Sequence, residues 1–271
     1  NGKKAVCLGG ANNHLILLPD ADMELAAHDV VASFTGCSGQ RCMAASVLCT
    51  VGIDDSVIDN IVDIARNTPT PHLIDEASTN TINESVERAR NDPDCEILLD
   101  GGVGTATMFK PTIIRIKNKD SLYKNVDKTF ESTSFPTLSP DSIPWGSIDG
   151  ADIPDKRHWL MTTEIFGPVL VIIDCESMDA AIQYENDSAF GNGAVVYTQS
   201  GAHAEYATTR FQAGMIGVNV GVPVPREPFS FGGNNLSNVT GHHDITGMDG
   251  INFFTRKRKI TTRWGKDGTI F

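Results

Sequence analysis

The sequence predicts an α/β protein built on an open, mainly parallel sheet with helices on both faces. Two observations carry this prediction. Short runs of strand formers alternate with segments of helical apolar spacing along most of the chain, the pattern of strands joined by helical crossovers. The composition, 40% hydrophobic and 21% charged over 271 residues, suits a globular chain with a real core. No internal repeat stands out.

The elements follow in order. "KKAVCLGG" (3–10) reads as a short strand ending in a glycine turn. "DADMELAAHDVVASFTG" (20–36) reads as a helix with Asp22 as N-cap and Met23, Ala26, Val30, Val31 and Phe34 at helical spacing. "ASVLCTVG" (45–52) is a strand, and "DDSVIDNIVDIARN" (54–67) is a helix with Ile58, Ile61, Val62 and Ala65 on one face. "TNTINESVERARN" (79–91) is a more exposed helix, followed by strands in "CEILLDGG" (95–102) and "PTIIRIK" (111–117). Beyond a polar stretch come the strand "GPVLVII" (167–173), the helix "SMDAAIQYEND" (177–187) and the strand "GAVVYT" (193–198). The helix "GAHAEYATTRFQAG" (201–214) then stops at Gly214 as its C′ residue, and the strand "MIGVNV" (215–220) follows. "GINFFTRKRKITTRW" (250–264) alternates imperfectly, like an edge strand.

The polar stretch at 118–160 is rich in Ser, Pro, Asp and Gly, and reads as an insertion because unstructured loops this long are uncommon in compact domains. The expected organisation is a domain over 1–225 and a C-terminal return segment with an oligomerisation strand over 226–271.

Charge and cysteine usage narrow the function classes. The formal net charge is -12, from 34 acidic and 22 basic residues, which argues against a nucleic-acid surface. The basic cluster "RKRK" (256–259) is short and reads as a solvated strand edge. No run of about 18 apolar residues predicts a membrane span. No secretory leader is legible, and an opening on Asn1 reads as a processed, trimmed or incomplete chain. The cysteines at 7, 37, 42, 49, 95 and 175 show neither a C-x-x-C pair nor zinc spacing, so free thiols in a reducing compartment and no metal site are expected. His242 and His243 in "TGHHD" have no third ligand spaced with them and read as loop histidines.

Three segments in the order "GQRCMA" (39–44), "EIFGPVLVI" (164–172) and "FGNGAVVYT" (190–198) resemble the aldehyde dehydrogenase superfamily. "GGANNHLILLPDAD" (9–22), "GVNVGVPVP" (217–225) with "FSFGG" (229–233), and "FFTRKRKITTRW" (253–264) narrow the resemblance to its methylmalonate-semialdehyde dehydrogenase branch, which makes acyl-coenzyme A with NAD. The match begins late in the family's sequence, so the half carrying most of the NAD domain has no counterpart here. "GVGTAT" (102–107) is not a full dinucleotide fingerprint. Binding of NAD by this chain alone is therefore doubtful.

The resemblance implies roles residue by residue. Cys42 would attack an aldehyde carbonyl, hydride transfer to NAD would leave a thioester, and coenzyme A would cleave it. A thiol must ionise to attack, and Arg41 with the backbone amides of a turn would favour the anion. The Cys42 N–H would also face the oxyanion. The plainer reading, a buried structural cysteine, fits Cys7, Cys49, Cys95 and Cys175. Arg41 would bind a substrate carboxylate, or else face solvent. Glu164 would hold the nicotinamide ribose with Phe166 packed nearby, or else the two are a loop glutamate and a core ring. Asn219 would lie near the substrate pocket, or else cap a strand end.

Many hydrolytic members carry a glutamate base just before the Leu-Gly-Gly turn, where this chain has Cys7 and Leu8. That agrees with the coenzyme A branch, and equally with loss of activity. The resemblance also implies an intracellular protein, of the mitochondrial matrix or cytoplasm, that assembles as a homo-oligomer or into a larger complex through its C-terminal strand. Two functions stay open: the catalytic part of an NAD- and coenzyme A-dependent oxidoreductase, or a degenerate homologue with a structural or assembly role.

Overall fold

The computed structural model describes residues 3–69, 71–117, 158–240 and 244–264. The predicted α/β class holds. A seven-stranded sheet runs in the order β10-β9-β1-β2-β7-β6-β3. Its strands are β1 (Asn13–Leu17), β2 (Ala45–Val51), β3 (Cys95–Leu99), β6 (Thr112–Ile116), β7 (Val169–Cys175), β9 (Gly193–Tyr197) and β10 (Met215–Val218). All pairs are parallel except β3 with β6. Two small hairpin-like pairs lie outside it: β4 (Val103–Thr105) with β5 (Met108–Phe109), and β8 (Phe190–Gly191) with β11 (Asn234–Asn235).

Each parallel strand is apolar on both sides because each face is covered by helices. On one face Leu15, Leu17, Leu48, Leu170, Ile172 and Val195 meet α1 (Met23–Thr35) and α2 (Asp55–Asn67). On the other, Ile16, Val47, Ile114, Val171 and Val196 meet α3 (Glu76–Arg90), α4 (Met178–Asn186) and α5 (Gly201–Thr208). The α2 face is the one read from the sequence: Ile58, Ile61, Val62 and Ala65 are its buried residues. The Asp22 carboxylate caps α1 by accepting from the Leu25 N–H at 3.1 Å.

Four expectations need correction. Residues 3–7 are not a strand; Leu8 makes an isolated bridge to Asn238, and Cys7 trades backbone and side-chain bonds with 239–240. Gly214 does not stop α5, which ends at Thr208; its N–H donates to the Gly191 carbonyl, and a Cβ there would come within 2.6 Å of the Gly232 oxygen. Of the predicted insertion, 118–157 lies outside the described residues, while His158 and Leu160 are buried in the core. The C-terminal strand is not formed at its start: Ile251–Phe254 closes the helix α6 (Gly247–Phe254). Met248, Ile251 and Phe254 recur every three residues, a helical period that the eye takes for broken alternation. Residues 255–264 have no ladder partner among the described residues, and a strand needs one. Lys4 donates to the Asn252 and Thr255 carbonyls at the end of α6.

Candidate active site

Four segments that immediately precede parallel strands meet at one edge of the sheet. They are Asn12–Asn13 at β1, residues 39–44 before β2, residues 164–167 before β7, and Asn192 before β9. The helix α1 ends in a tight 3₁₀ turn (Gly36–Gly39) in which Cys37 and Ser38 adopt φ of 53° and 55°. That left-handed backbone turns the chain back toward β2 and presents Cys42 at the surface. Phe166 also has a positive φ, 54°, and is exposed. Gly39 packs directly on the backbone of Gly167, so the cysteine turn and the Glu164–Phe166 loop form one unit.

The electrostatics at Cys42 differ from the sequence expectation. Surrounding protein desolvates the sulfur and pushes its pKa above the ordinary thiol value. The backbone N–H groups of Cys42 and Met43 favour the anion and oppose this, as does Arg41; the nearby Glu164 carboxylate adds to the rise. Burial likewise raises the Glu164 pKa, against an N–H donated by Ala11. The amide cradle predicted for the thiolate is present, but burial outweighs it.

Arg41 is half-buried and engaged at one terminal nitrogen, while its buried Nε has no hydrogen-bond partner. Its Nη2 donates to the Ala32 and Ser33 carbonyls at 3.0 and 2.8 Å, closing the last turn of α1. Asn219 is not brought to this edge. It follows β10 at the opposite end of the sheet, where its amide accepts from the Thr198 N–H at 2.9 Å and donates to the Thr198 carbonyl at 2.8 Å. That is the strand-end cap.

Sequence reading missed Asn13 and Asn192, whose side chains both donate to the Cys42 carbonyl, at 2.8 and 2.7 Å. The signal was available: each is a polar residue at the start of an otherwise apolar strand run, which calls for a partner.

Metal and cofactor fit were tested on the same geometry. Donor atoms of Asp92, Cys95 and His158, predicted to hold nothing, lie within 4.8 Å of one another. The Leu160 N–H donates to His158 Nδ1 at 3.3 Å, which leaves the ring proton on Nε2, facing Asp92 Oδ2 at 3.2 Å. Trp159 donates to the same carboxylate at 3.3 Å. An ion on Nε2 would have to displace the Leu160 bond, so the cluster reads as a hydrogen-bonded tie. His242 and His243 lie outside the described residues. For NAD, the space enclosed by Arg41, Glu164 and Phe166 is a cavity of about 20 Å³, room for a water and not for a nicotinamide. "GVGTAT" forms β4 rather than a phosphate turn. The described residues do not by themselves fit a dinucleotide.

The aldehyde dehydrogenase family pattern matches residues 1–125 and 152–260, leaving out part of the polar stretch between the two matches and the last residues, 261–271. The chain belongs to the aldehyde dehydrogenase family. Among curated aldehyde dehydrogenases, it is 34% identical over 275 residues to malonate-semialdehyde dehydrogenase 2 of Bacillus thuringiensis (strain Al Hakam), covering 98% of this chain and 50% of the relative. It is 33% identical to malonate-semialdehyde dehydrogenase 1 of Oceanobacillus iheyensis, covering 97% and 50%. Among solved structures, it resembles methylmalonate-semialdehyde dehydrogenase from Oceanimonas doudoroffii with a TM-score of 0.78 and 26% identity, covering 98% of this chain and 50% of that one. A Sinorhizobium meliloti 1021 protein assigned to the same dehydrogenase, complexed with NAD, gives 0.77 and 28%, with the same coverage. The chain thus spans about half the length of the curated relatives it matches. No helix among the described residues is long and apolar enough to cross a membrane.

Proposed function

We propose that residues 1–225 are the catalytic part of an NAD-dependent, coenzyme A-acylating dehydrogenase for a malonate or methylmalonate semialdehyde, with Cys42 as nucleophile. The observation that supports this reading most is Cys42 standing exposed just after a left-handed turn, where the backbone N–H groups of Cys42 and Met43 favour its anion. The thiolate adds to the aldehyde carbon, and the carbonyl oxygen takes up the charge and then a proton, giving a thiohemiacetal. The same N–H groups are the nearest donors to that oxygen as it becomes an alkoxide. When bound, NAD supplies the hydride acceptor and coenzyme A the acyl acceptor. The described residues cradle neither, so the chemistry assigned to this chain ends at the thiohemiacetal.

Cys7 and Leu8 before the Gly-Gly turn leave no carboxylate there to activate water, which favours thiolysis over hydrolysis. Arg41 is already committed to α1, which weakens its assignment to a substrate carboxylate. Residues 226–271 are read as the return segment through which copies assemble, in an intracellular compartment.

A second reading, a homologue without turnover that serves assembly, is favoured by the water-sized cavity beside Glu164. One experiment separates the two. The protein is pulsed with iodoacetamide with and without malonate semialdehyde, and alkylation is mapped by mass spectrometry with exposed Cys37 as control. Protection of Cys42 by the aldehyde, with Cys37 unprotected, supports the enzyme, since a thiohemiacetal sulfur is not alkylated. Equal alkylation of Cys42 with and without the aldehyde supports the second reading.

A further inference from the structure

The environment of the Cys42 carbonyl is unusual in a way that the aldehyde chemistry does not by itself require. Two buried side-chain amides converge on one oxygen. Asn13 Nδ2 donates to it at 2.8 Å and also to the Ala44 carbonyl at 2.8 Å. Asn192 Nδ2 donates to it at 2.7 Å. The two asparagines come from the starts of β1 and β9, which are neighbours in the sheet. They are linked through the backbone, since Asn13 Oδ1 accepts from the Gly193 N–H at 3.0 Å. Asn192 Nδ2 also lies 3.0 Å from Met43 Sδ. Both side chains are buried, so neither is a surface contact that water would replace.

The consequence follows from peptide geometry. In a trans peptide the C=O and N–H point to opposite sides of one rigid plane. Holding the Cys42 oxygen from the inside of the fold therefore turns the N–H of Met43 outward. That N–H is one of the two backbone groups that favour the Cys42 thiolate. Two donors on the carbonyl also polarise the peptide and strengthen its N–H as a donor.

We propose that Asn13 and Asn192 are positioning residues that clamp the Cys42–Met43 peptide so that the Met43 N–H faces the Cys42 sulfur. The proposal deepens the reading in which Cys42 attacks a carbonyl, since the same N–H then serves both the thiolate and the developing oxyanion. The asparagines touch neither, and act through the peptide.

The test uses the 271-residue chain and the pH profile of Cys42 alkylation by iodoacetamide, mapped by mass spectrometry, with exposed Cys37 as internal control. In Asn192→Ala and Asn13→Ala the Cys42 profile is expected to move to higher pH. Near neutrality Cys42 should be alkylated about threefold to tenfold more slowly, the worth of one hydrogen bond to the anion, while Cys37 keeps its rate. Asn192→Ser, a smaller donor, should recover part of the shift. Asn13 makes more bonds than Asn192, so if Asn13→Ala does not fold, Asn192→Ala and Asn192→Ser decide the matter. An unshifted Cys42 profile in a folded Asn192→Ala chain overturns the proposal. The readout needs neither aldehyde nor cofactor. A shifted profile without any aldehyde adduct would therefore leave the clamp standing and remove the nucleophile reading alone.

Discussion

Gly39 packs so closely on Gly167 that a Cβ at residue 39 would overlap the Gly167 carbonyl and the nitrogen of Pro168. Gly39 also has φ +69°, a left-handed conformation that costs other residues. The contact joins the Cys42 turn to the Glu164–Phe166 loop, and neither backbone can yield without moving the other. Gly39→Ala is expected to lower unfolding stability by about 3 kcal/mol, combining a backbone clash with left-handed strain. Urea denaturation checks this. A loss below about 0.5 kcal/mol, the range of ordinary surface substitutions, would show that the two loops are not locked.

Cys42 should alkylate slowly near neutral pH for so exposed a thiol, because desolvation and the Glu164 charge both raise its pKa. Glu164→Gln removes the charge and should shift the alkylation profile to lower pH, speeding modification at neutrality. A profile that stays in place in the variant would mean that Glu164 and Cys42 are not electrostatically coupled.

How much of this was legible before any coordinates is uneven, for physical reasons. The α2 face was readable because four apolar residues fall at helical spacing between charged ones. The α6 segment was misread because its helical period, through Met248, Ile251 and Phe254, begins before the apolar run that reads as a strand, and none of its residues is fully buried. Cys42, Glu164 and Phe166 were singled out through the family resemblance, and the structure brings their segments together. The electrostatic balance at Cys42 was not legible, since it depends on how much protein surrounds the sulfur. The capping of α1 by Arg41 was hidden for a related reason: it joins residue 41 to carbonyls eight and nine residues upstream, across a turn in which two non-glycine residues, Cys37 and Ser38, are left-handed.

That cap makes its own prediction. Arg41→Met keeps the aliphatic stem and removes the donors, so the Ser33 carbonyl loses its Arg41 bond while the Ala32 carbonyl keeps the Gly36 N–H. A loss of about 1–2 kcal/mol in unfolding stability is expected. Gly36→Ala should produce a similar loss, because a Cβ there would sit 2.5 Å from Arg41 Nη2. Additive losses in the double variant would count against a shared contact.

Glu185 gives a pH-dependent stability with a defined sign. It is 3% exposed on α4, and burial pushes its pKa up to about 7 from an ordinary 4.5, against N–H groups of Gln212 and Ala213. Between those two values the folded chain holds a proton that the unfolded chain has released. Its contribution is therefore fully present below about 4.5 and is lost as pH rises through about 7. The full swing is of order 3 kcal/mol. Glu185→Gln should flatten this part of the stability profile and leave the variant more stable than the parent above pH 7. Thermal unfolding at mildly acidic and mildly alkaline pH reads the difference, and parallel profiles for the two chains would exclude Glu185 as the source.

The C-terminal segment carries the last prediction. None of the residues of α6 is buried, and Phe254, Ile260 and Trp264 are 87%, 78% and 71% exposed. Residues 255–264 run without a ladder partner among the described residues, which suits their backbone groups to pairing with another chain. The basic run 256–259 would approach a copy whose net charge is -12, a favourable pairing at low salt. Deleting residues 255–271 should therefore lower the mass measured by light scattering at micromolar concentration. Ile260→Ser with Trp264→Ser should weaken the same association while leaving the fold intact, because both side chains are solvated in the single chain. The Trp264 emission should shift to the red on dilution as the ring returns to water. If the parent chain is monomeric, or if deletion leaves its oligomeric state unchanged, assembly through this segment is wrong, and its apolar residues answer to something other than a second copy.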